Sequence, residues 1–180
     1  MKKIFAICGS TRNQSSNLQI IKAVEAMCSG RIEFDIYNEL ATLPHFNPDV
    51  EDEMIPAAVA SLRQRIAFAD AVLICTPEYV FSLPGSLKNA IEWTVSTTIF
   101  SNKPTAIITA SGQGKKAHES LQLIMHTIEA RMTDATQLLI QGARSKINAE
   151  GRIIDSSLID KLTELINDID KMTEEGPVQA

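Results

Sequence analysis

Aromatic residues make up only 5% of this chain, and there are three cysteines and three histidines in 180 residues. Cys8, Cys28 and Cys75 are odd in number and form no C-x-x-C pair or other metal-ligand spacing, so a disulfide scaffold or zinc module is not what holds the fold. His45, His118 and His126 are too scattered for a metal motif. No apolar run approaches the ~20 residues that cross a bilayer. The run that follows Met1-Lys2-Lys3 ends within five residues, too short for a secretory leader. There is no basic stripe, and the net charge is -5. Both argue against a nucleic-acid surface, although a local anion site can oppose the global sign. Repeats and low-complexity segments are missing as well. These absences lead to the expectation of a cytoplasmic protein with no membrane or nucleic-acid partner and no bound metal.

What is present is ordinary globular composition, 44% apolar and 22% charged, with strand and helix signals in alternation. Residues 4–8, 71–75 and 105–110 are short apolar runs of the kind buried on both faces of a parallel sheet. Residues 31–37 instead alternate polar and apolar, which suits a strand burying one face at a sheet edge. A fifth, short strand is expected at 137–141. Helices are expected at 17–28, with Leu18, Ile21, Val24 and Met27 inward, and at 56–69, with Pro56 as first residue and Val59, Leu62, Ile66 and Ala69 inward. Three more follow at 84–97, 118–131 and 156–172. The reading is one α/β domain over residues 1–173 with a flexible tail at 174–180. Its expected form is a flavodoxin-like three-layer α/β/α sandwich around a five-stranded parallel sheet in the order 2-1-3-4-5.

In that order ligands bind beyond the carboxyl ends of the strands, where strands 1 and 3 reverse the winding direction. The loops there, 9–17, 77–84 and 111–114, are also the richest in Gly, Pro and hydroxyls. In the first, Ser10, Arg12, Ser15, Ser16 and Asn17 bring hydroxyls and one guanidinium to a helix N-terminus, which is an anion site. A plain capped strand–turn–helix is the alternative for this stretch. A phosphatase loop needs a Cys with Arg six positions on, but Gln14 stands there. A receiver domain needs carboxylates where Cys8-Gly9 and Cys75-Thr76 stand. A dinucleotide fingerprint can be fitted to Gly112-Gln113-Gly114-Lys115-Lys116-Ala117, but no acid follows the next strand to hold a ribose. A phosphate at the first loop and a flat, partly apolar group against Pro77, Glu78, Tyr79 and Val80 and against Ser111, Gly112, Gln113 and Gly114 remain. Flavin mononucleotide, FMN, has both parts.

The motifs Gly9-Ser10-x-Arg12-x-x-Ser15-x-Asn17, Thr76-Pro77-Glu78-Tyr79 and Pro84-Gly85-x-Leu87-Lys88-Asn89-Ala90-Ile91-Glu92-Trp93 resemble the NADPH-dependent FMN reductase family, over residues 3–155. The resemblance implies that the first loop holds the FMN phosphate, that residues 77–80 line the ring, and that 111–114 close its other side. It implies an oxidoreductase passing a hydride from NADPH or NADH through FMN to a quinone, azo compound, metal oxyanion or free flavin, and a homodimer or homotetramer. No catalytic side chain is required. Two departures stand out: Val80 replaces the Asn usual in the family, and Lys115-Lys116 follow Gly114 where more glycine is common. The lysine pair is read either as a contact for a 2′-phosphate of NADPH or as solvated. Glu78 is expected to hydrogen-bond structurally, and Trp93 with Phe100 to be either core or part of a dimer contact, the resemblance favouring the latter. Two other readings stay open from the residues: a flavodoxin-type one-electron carrier and a flavin-binding sensor.

Overall fold

The short apolar runs form the interior of a sheet. In the computed structural model, which describes residues 1–28, 30–148 and 150–176, the strands are β1 (Lys2–Cys8), β2 (Ile32–Tyr37), β3 (Ala71–Thr76), β4 (Thr105–Ser111) and β5 (Gln137–Gln141). All pair in parallel, in the order β2-β1-β3-β4-β5. Helices α1 (Ser16–Met27), α2 (Ala57–Phe68), α3 (Gly85–Glu92), α4 (Lys115–Thr127) and α5 (Ser156–Glu174) complete the chain. Right-handed crossovers decide the layers. The chain steps one way from β1 to β2 and the other way through β3, β4 and β5. Accordingly α1 and α5 pack on one face through Ile20, Val24, Leu162 and Leu165, while α2, α3 and α4 cover the other through Leu62, Ile66, Leu87 and Leu121. This is the expected flavodoxin-like sandwich. No helix among the described residues is long and apolar enough to cross a membrane. Residues 177–180 of the expected tail lie outside the described residues.

Several element-level expectations shift. The inward stripe of α1 is Asn17, Ile20, Ile21 and Val24, and Leu18 and Met27 are only half-buried. The Ser15 cap sets this phase, because it turns Asn17 toward the sheet. Pro56 and Pro84 stand one residue before their helices rather than inside them. α3 stops at Glu92, five residues short, because Thr94 and Thr97 hydroxyls donate to the Ile91 and Thr94 carbonyls and Arg63 Nε donates to the Trp93 carbonyl. α4 starts at Lys115, three residues early, after left-handed Gly114. It ends at Thr127, where left-handed Glu129 lets Ala130 N donate back to the Met125 carbonyl.

β2 does lie at an edge, but its second face is not left to water. Asp35 makes a two-point ion pair with Arg65 of α2, whose guanidinium lies 4.8 Å and 5.0 Å from the Phe5 and Tyr37 ring centroids. The Arg65 partner holds the Asp35 carboxyl below its ordinary range. Trp93 and Phe100 are 2% and 3% exposed, in the core of this chain rather than on a surface for a partner. Residues 38–55 cover that core: Phe46 packs edge-on against Trp93 at 5.2 Å, and Trp93 Nε1 donates to the Pro44 carbonyl.

Candidate functional site

β1 delivers its loop hard against β3. Gly9 N donates to the Cys75 carbonyl at 2.8 Å, and a Cβ on Gly9 would stand 2.5 Å from Thr76 Oγ1, so this approach needs glycine. The loop then folds on its own hydroxyls. Ser10 Oγ accepts from Arg12 N at 3.4 Å, and Ser15 Oγ caps α1 by accepting from Asn17 N at 3.2 Å. Ser10, Ser15 and Asn17 are all buried. Three buried polar side chains at one helix N-terminus are an uncommon concentration in a strand–turn–helix, and all three line a crevice. Beneath them Cys75 Sγ donates to Asn17 Oδ1 at 3.3 Å. Burial pushes the Cys8 thiol up and Cys75 well up, and takes Cys28 to about 11, so none of the three is a thiolate nucleophile near neutral pH.

The loop after β3 turns on Tyr79 and Ser82, which exchange backbone hydrogen bonds across left-handed Val80 (φ 51°) and Phe81 (φ 57°). Glu78 reaches from it to the next loop. Its Oε1 accepts from Gly114 N at 3.2 Å and its Oε2 from Ala117 N at 3.0 Å, which caps α4 and latches the two loops together. The structural role expected for Glu78 is the one observed. Deeper in α4, His118 Nδ1 lies 3.0 Å from Thr109 Oγ1, and burial lowers its pKa, leaving a neutral imidazole.

A crevice of about 680 Å³ opens between these loops at the carboxyl ends of the strands. On its α1 side stand Ser10, Arg12, Ser15, Ser16 and Asn17. Pro77, Glu78 and Tyr79 come from the loop after β3, and Ser111 and Gly112 from the end of β4. Val80, Gln113 and Gly114 do not line it. Val80 is 94% exposed because its left-handed backbone aims the side chain outward, and Gly114 N is engaged by Glu78. Lys115 and Lys116 lie outside the lining, Lys116 pairing with Glu119 at 2.9 Å.

The crevice also has a wall that the three loops leave out. It comes after β5 and includes Gly142, Ala143, Arg144, Ser145 and Ile147, while Gln14 and Gln19 add to the α1 side. Gly142 is left-handed (φ 63°), and its N–H donates to the Gly112 carbonyl at 3.1 Å, so this wall is fastened to the β4 loop. The signal for it was available: Gly142-Ala143-Arg144-Ser145 follows a strand and carries a glycine, an arginine and a hydroxyl, as the first loop does. Among the described residues no group of three or more His, Cys, Asp or Glu side chains is placed to hold a metal.

Comparison with known proteins gives a consistent result. The family model described as NADPH-dependent FMN reductase matches residues 2–145. An NAD(P)H-dependent FMN reductase of Pseudomonas aeruginosa is 32% identical over 170 residues, covering 91% of this chain and 89% of the relative. A quinone reductase of Escherichia coli is 29% identical over 168 residues, 89% of each. The structure of FerB, a flavoenzyme NAD(P)H:(acceptor) oxidoreductase from Paracoccus denitrificans, superposes with a TM-score of 0.86 at 28% identity, over 99% of this chain and 100% of that one.

Proposed function

The chain belongs to the NADPH-dependent FMN reductase family, and from that premise we propose that its crevice holds FMN with the phosphate at the first loop and the ring against the second and third. The activity is NAD(P)H-dependent flavin oxidoreduction. When bound, FMN would supply the two-electron chemistry between NADPH or NADH and a quinone or other acceptor.

The observation that carries the site assignment is the donor set of one crevice end. Ser10, Ser15 and Asn17 are buried polar groups, Arg12 is cationic, and the α1 N-terminus presents orphan amides beside them. A phosphate dianion satisfies such a set, whereas a neutral ligand leaves the guanidinium and amides unpaired. Pro77 and Tyr79 offer the flat, partly apolar surface that a ring system needs, and Gly112 has open space where a Cβ would stand, which lets a ring come close to the backbone. This chain's residues bind, orient and exclude water. Glu78 is committed to backbone amides, and the thiols are held protonated, so no side chain is assigned to move protons in the reaction.

The exposed apolar turn of Tyr79, Val80 and Phe81 beside the crevice supports a homodimer as the working assembly. Three free thiols suit a reducing cytoplasm. Quinones, azo compounds, metal oxyanions and free flavin are the acceptor classes for an open site of this kind.

The test is an absorbance spectrum of the purified protein, repeated after anaerobic NADPH and then NADH. Flavin bands that bleach without a long-lived radical support the reductase. A flavin that ignores both nucleotides points to a carrier or sensor. Arg12→Ala removes a charge-assisted contact worth about 1.5–3 kcal/mol, so FMN binding weakens roughly ten- to a hundred-fold. Unchanged FMN affinity in that variant sinks the phosphate assignment.

A further inference from the structure

Two arginines and one carboxylate line the crevice: Arg12, Arg144 and Glu78. Both Glu78 oxygens are taken by the Gly114 and Ala117 amides, so among the described residues the crevice presents two guanidinium groups and no free acid, in a chain of net charge -5. The FMN reading uses one of them, Arg12, on the phosphate. Arg144 issues from the far end of the order, β5 standing three strands away from β1.

Arg144 is exposed, and among the described residues it makes no hydrogen bond or ion pair. The half-buried arginines differ: Arg65 pairs with Asp35, Arg63 caps Trp93, and Arg131 binds the Met172 and Gly176 carbonyls. The turn that carries Arg144 is nonetheless firmly braced. Gly142 N donates to Gly112, Ser145 Oγ donates to the Gly142 carbonyl at 2.8 Å, Ala143 is buried, and Lys146 pairs with Asp155 at 2.5 Å. A side chain left unpaired on a fixed turn, facing a crevice with no competing acid, has the properties of a ligand contact. A guanidinium selects planar, bidentate oxyanions.

We propose that Arg144 binds an anionic group, carboxylate or phosphate-like, on the substrate that shares the crevice with FMN, and so favours anionic over neutral substrates. This rests on the FMN reading above. The anion has two sources, the acceptor or the 2′-phosphate that distinguishes NADPH from NADH.

The experiment is steady-state kinetics of the FMN-loaded protein with two matched pairs, 1,2-naphthoquinone against 1,2-naphthoquinone-4-sulfonate, and NADH against NADPH. In Arg144→Gln the KM ratio of the member bearing the extra anionic group to the member lacking it rises about ten-fold, in the quinone pair if the acceptor is the source and in the nucleotide pair if the donor is. Arg144→Lys recovers part of the ratio by keeping the charge. Arg152→Gln, an exposed arginine outside the crevice, keeps the wild-type ratios. Unchanged ratios in both pairs overturn the proposal. Weakened FMN binding with unchanged ratios also overturns it, by making Arg144 a second cofactor contact. A wild-type protein that binds FMN yet oxidises neither nucleotide refutes the reductase reading and the proposal together. Turnover with unaltered ratios in Arg144→Gln refutes the proposal alone.

Discussion

Removing the Glu78 carboxylate tests whether the crevice is held open by a latch or only by the sheet beneath it. Two charge-assisted hydrogen bonds, at 3.2 Å and 3.0 Å, join the loop after β3 to the start of α4. Bonds of this kind are worth about 1.5–3 kcal/mol each when nothing replaces them. Glu78 is half-buried, so water takes over part of the lost role, and Glu78→Ala costs about 2 kcal/mol in total. In a domain of this size that lowers the melting temperature of the FMN-free protein by about 4–8 °C. Glu78→Gln keeps one acceptor but loses the charge beside the helix N-terminus, and falls between Ala and wild type. With the latch open, residues 77–80 and 111–114 must be ordered by the ligand, so FMN binds about five-fold more weakly in Glu78→Ala. Thermal unfolding of the apo protein and a fluorescence titration with FMN read the two effects separately. An apo Glu78→Ala protein that melts within about 1 °C of wild type refutes the latch.

Gly9→Ala forces a methyl to within 2.5 Å of Thr76 Oγ1 and 2.7 Å of Thr76 Cβ, an overpacking of about 1–3 kcal/mol that lowers the urea midpoint; an unchanged midpoint contradicts the close approach of β1 and β3. Val80→Asn places a residue tolerant of left-handed backbone at φ 51° and raises thermal stability by about 1 kcal/mol, measured at protein concentrations below any self-association. His118 has its pKa depressed by burial, so its contribution to stability is present above the ordinary value of 6.5 and is lost as pH falls through the folded value. Melting temperature measured from pH 8 down to pH 5 therefore drops less steeply in His118→Gln than in wild type; equal slopes reject the role of His118.

The sheet order was legible because one strand broke the pattern. Residues 31–37 alternate while the runs at 4–8, 71–75 and 105–110 do not, and burial on one face or two is a property that each segment carries in its own residues. Most of the crevice lining was legible for a similar reason: glycine, proline and hydroxyls gather where strands end. The parts that escaped depend on contacts between distant segments. The start of α4 is set by Glu78, 36 residues before Gly114, and the end of α3 by Arg63, 30 residues before Trp93. Whether Trp93 meets the core or a partner is decided by Pro44 and Phe46, from a loop with no regular pattern. Val80 shows a subtler limit. Asn in place of Val80 looks like a change in what reaches the ring. At φ 51° and 94% exposure, the change is instead one of backbone tolerance, since Asn enters left-handed backbone more readily than a β-branched residue. The wall after β5 is different again, because nothing hid it; the rule about strand ends applies to β5 as it does to β1.

A chain of net charge -5 lines its crevice with two arginines by disposing of its carboxylates elsewhere. Asp35 answers Arg65 and Lys3 on the β2 edge, Asp170 answers Lys2 at the opposite end of β1, and Asp155 caps α5 while pairing with Lys146. Glu78, the carboxylate that does stand at the crevice, is turned onto the α4 amides, where its charge is stabilised by the helix rather than aimed at a ligand. At physiological salt the field of exposed charges decays over about 8 Å, so acids on the far faces do little at the crevice. Net charge thus bears on solubility and on approach from a distance. The charge presented inside the crevice is set by Arg12, Arg144 and the α1 amides, and all three arise where strands end beside turns that pin them.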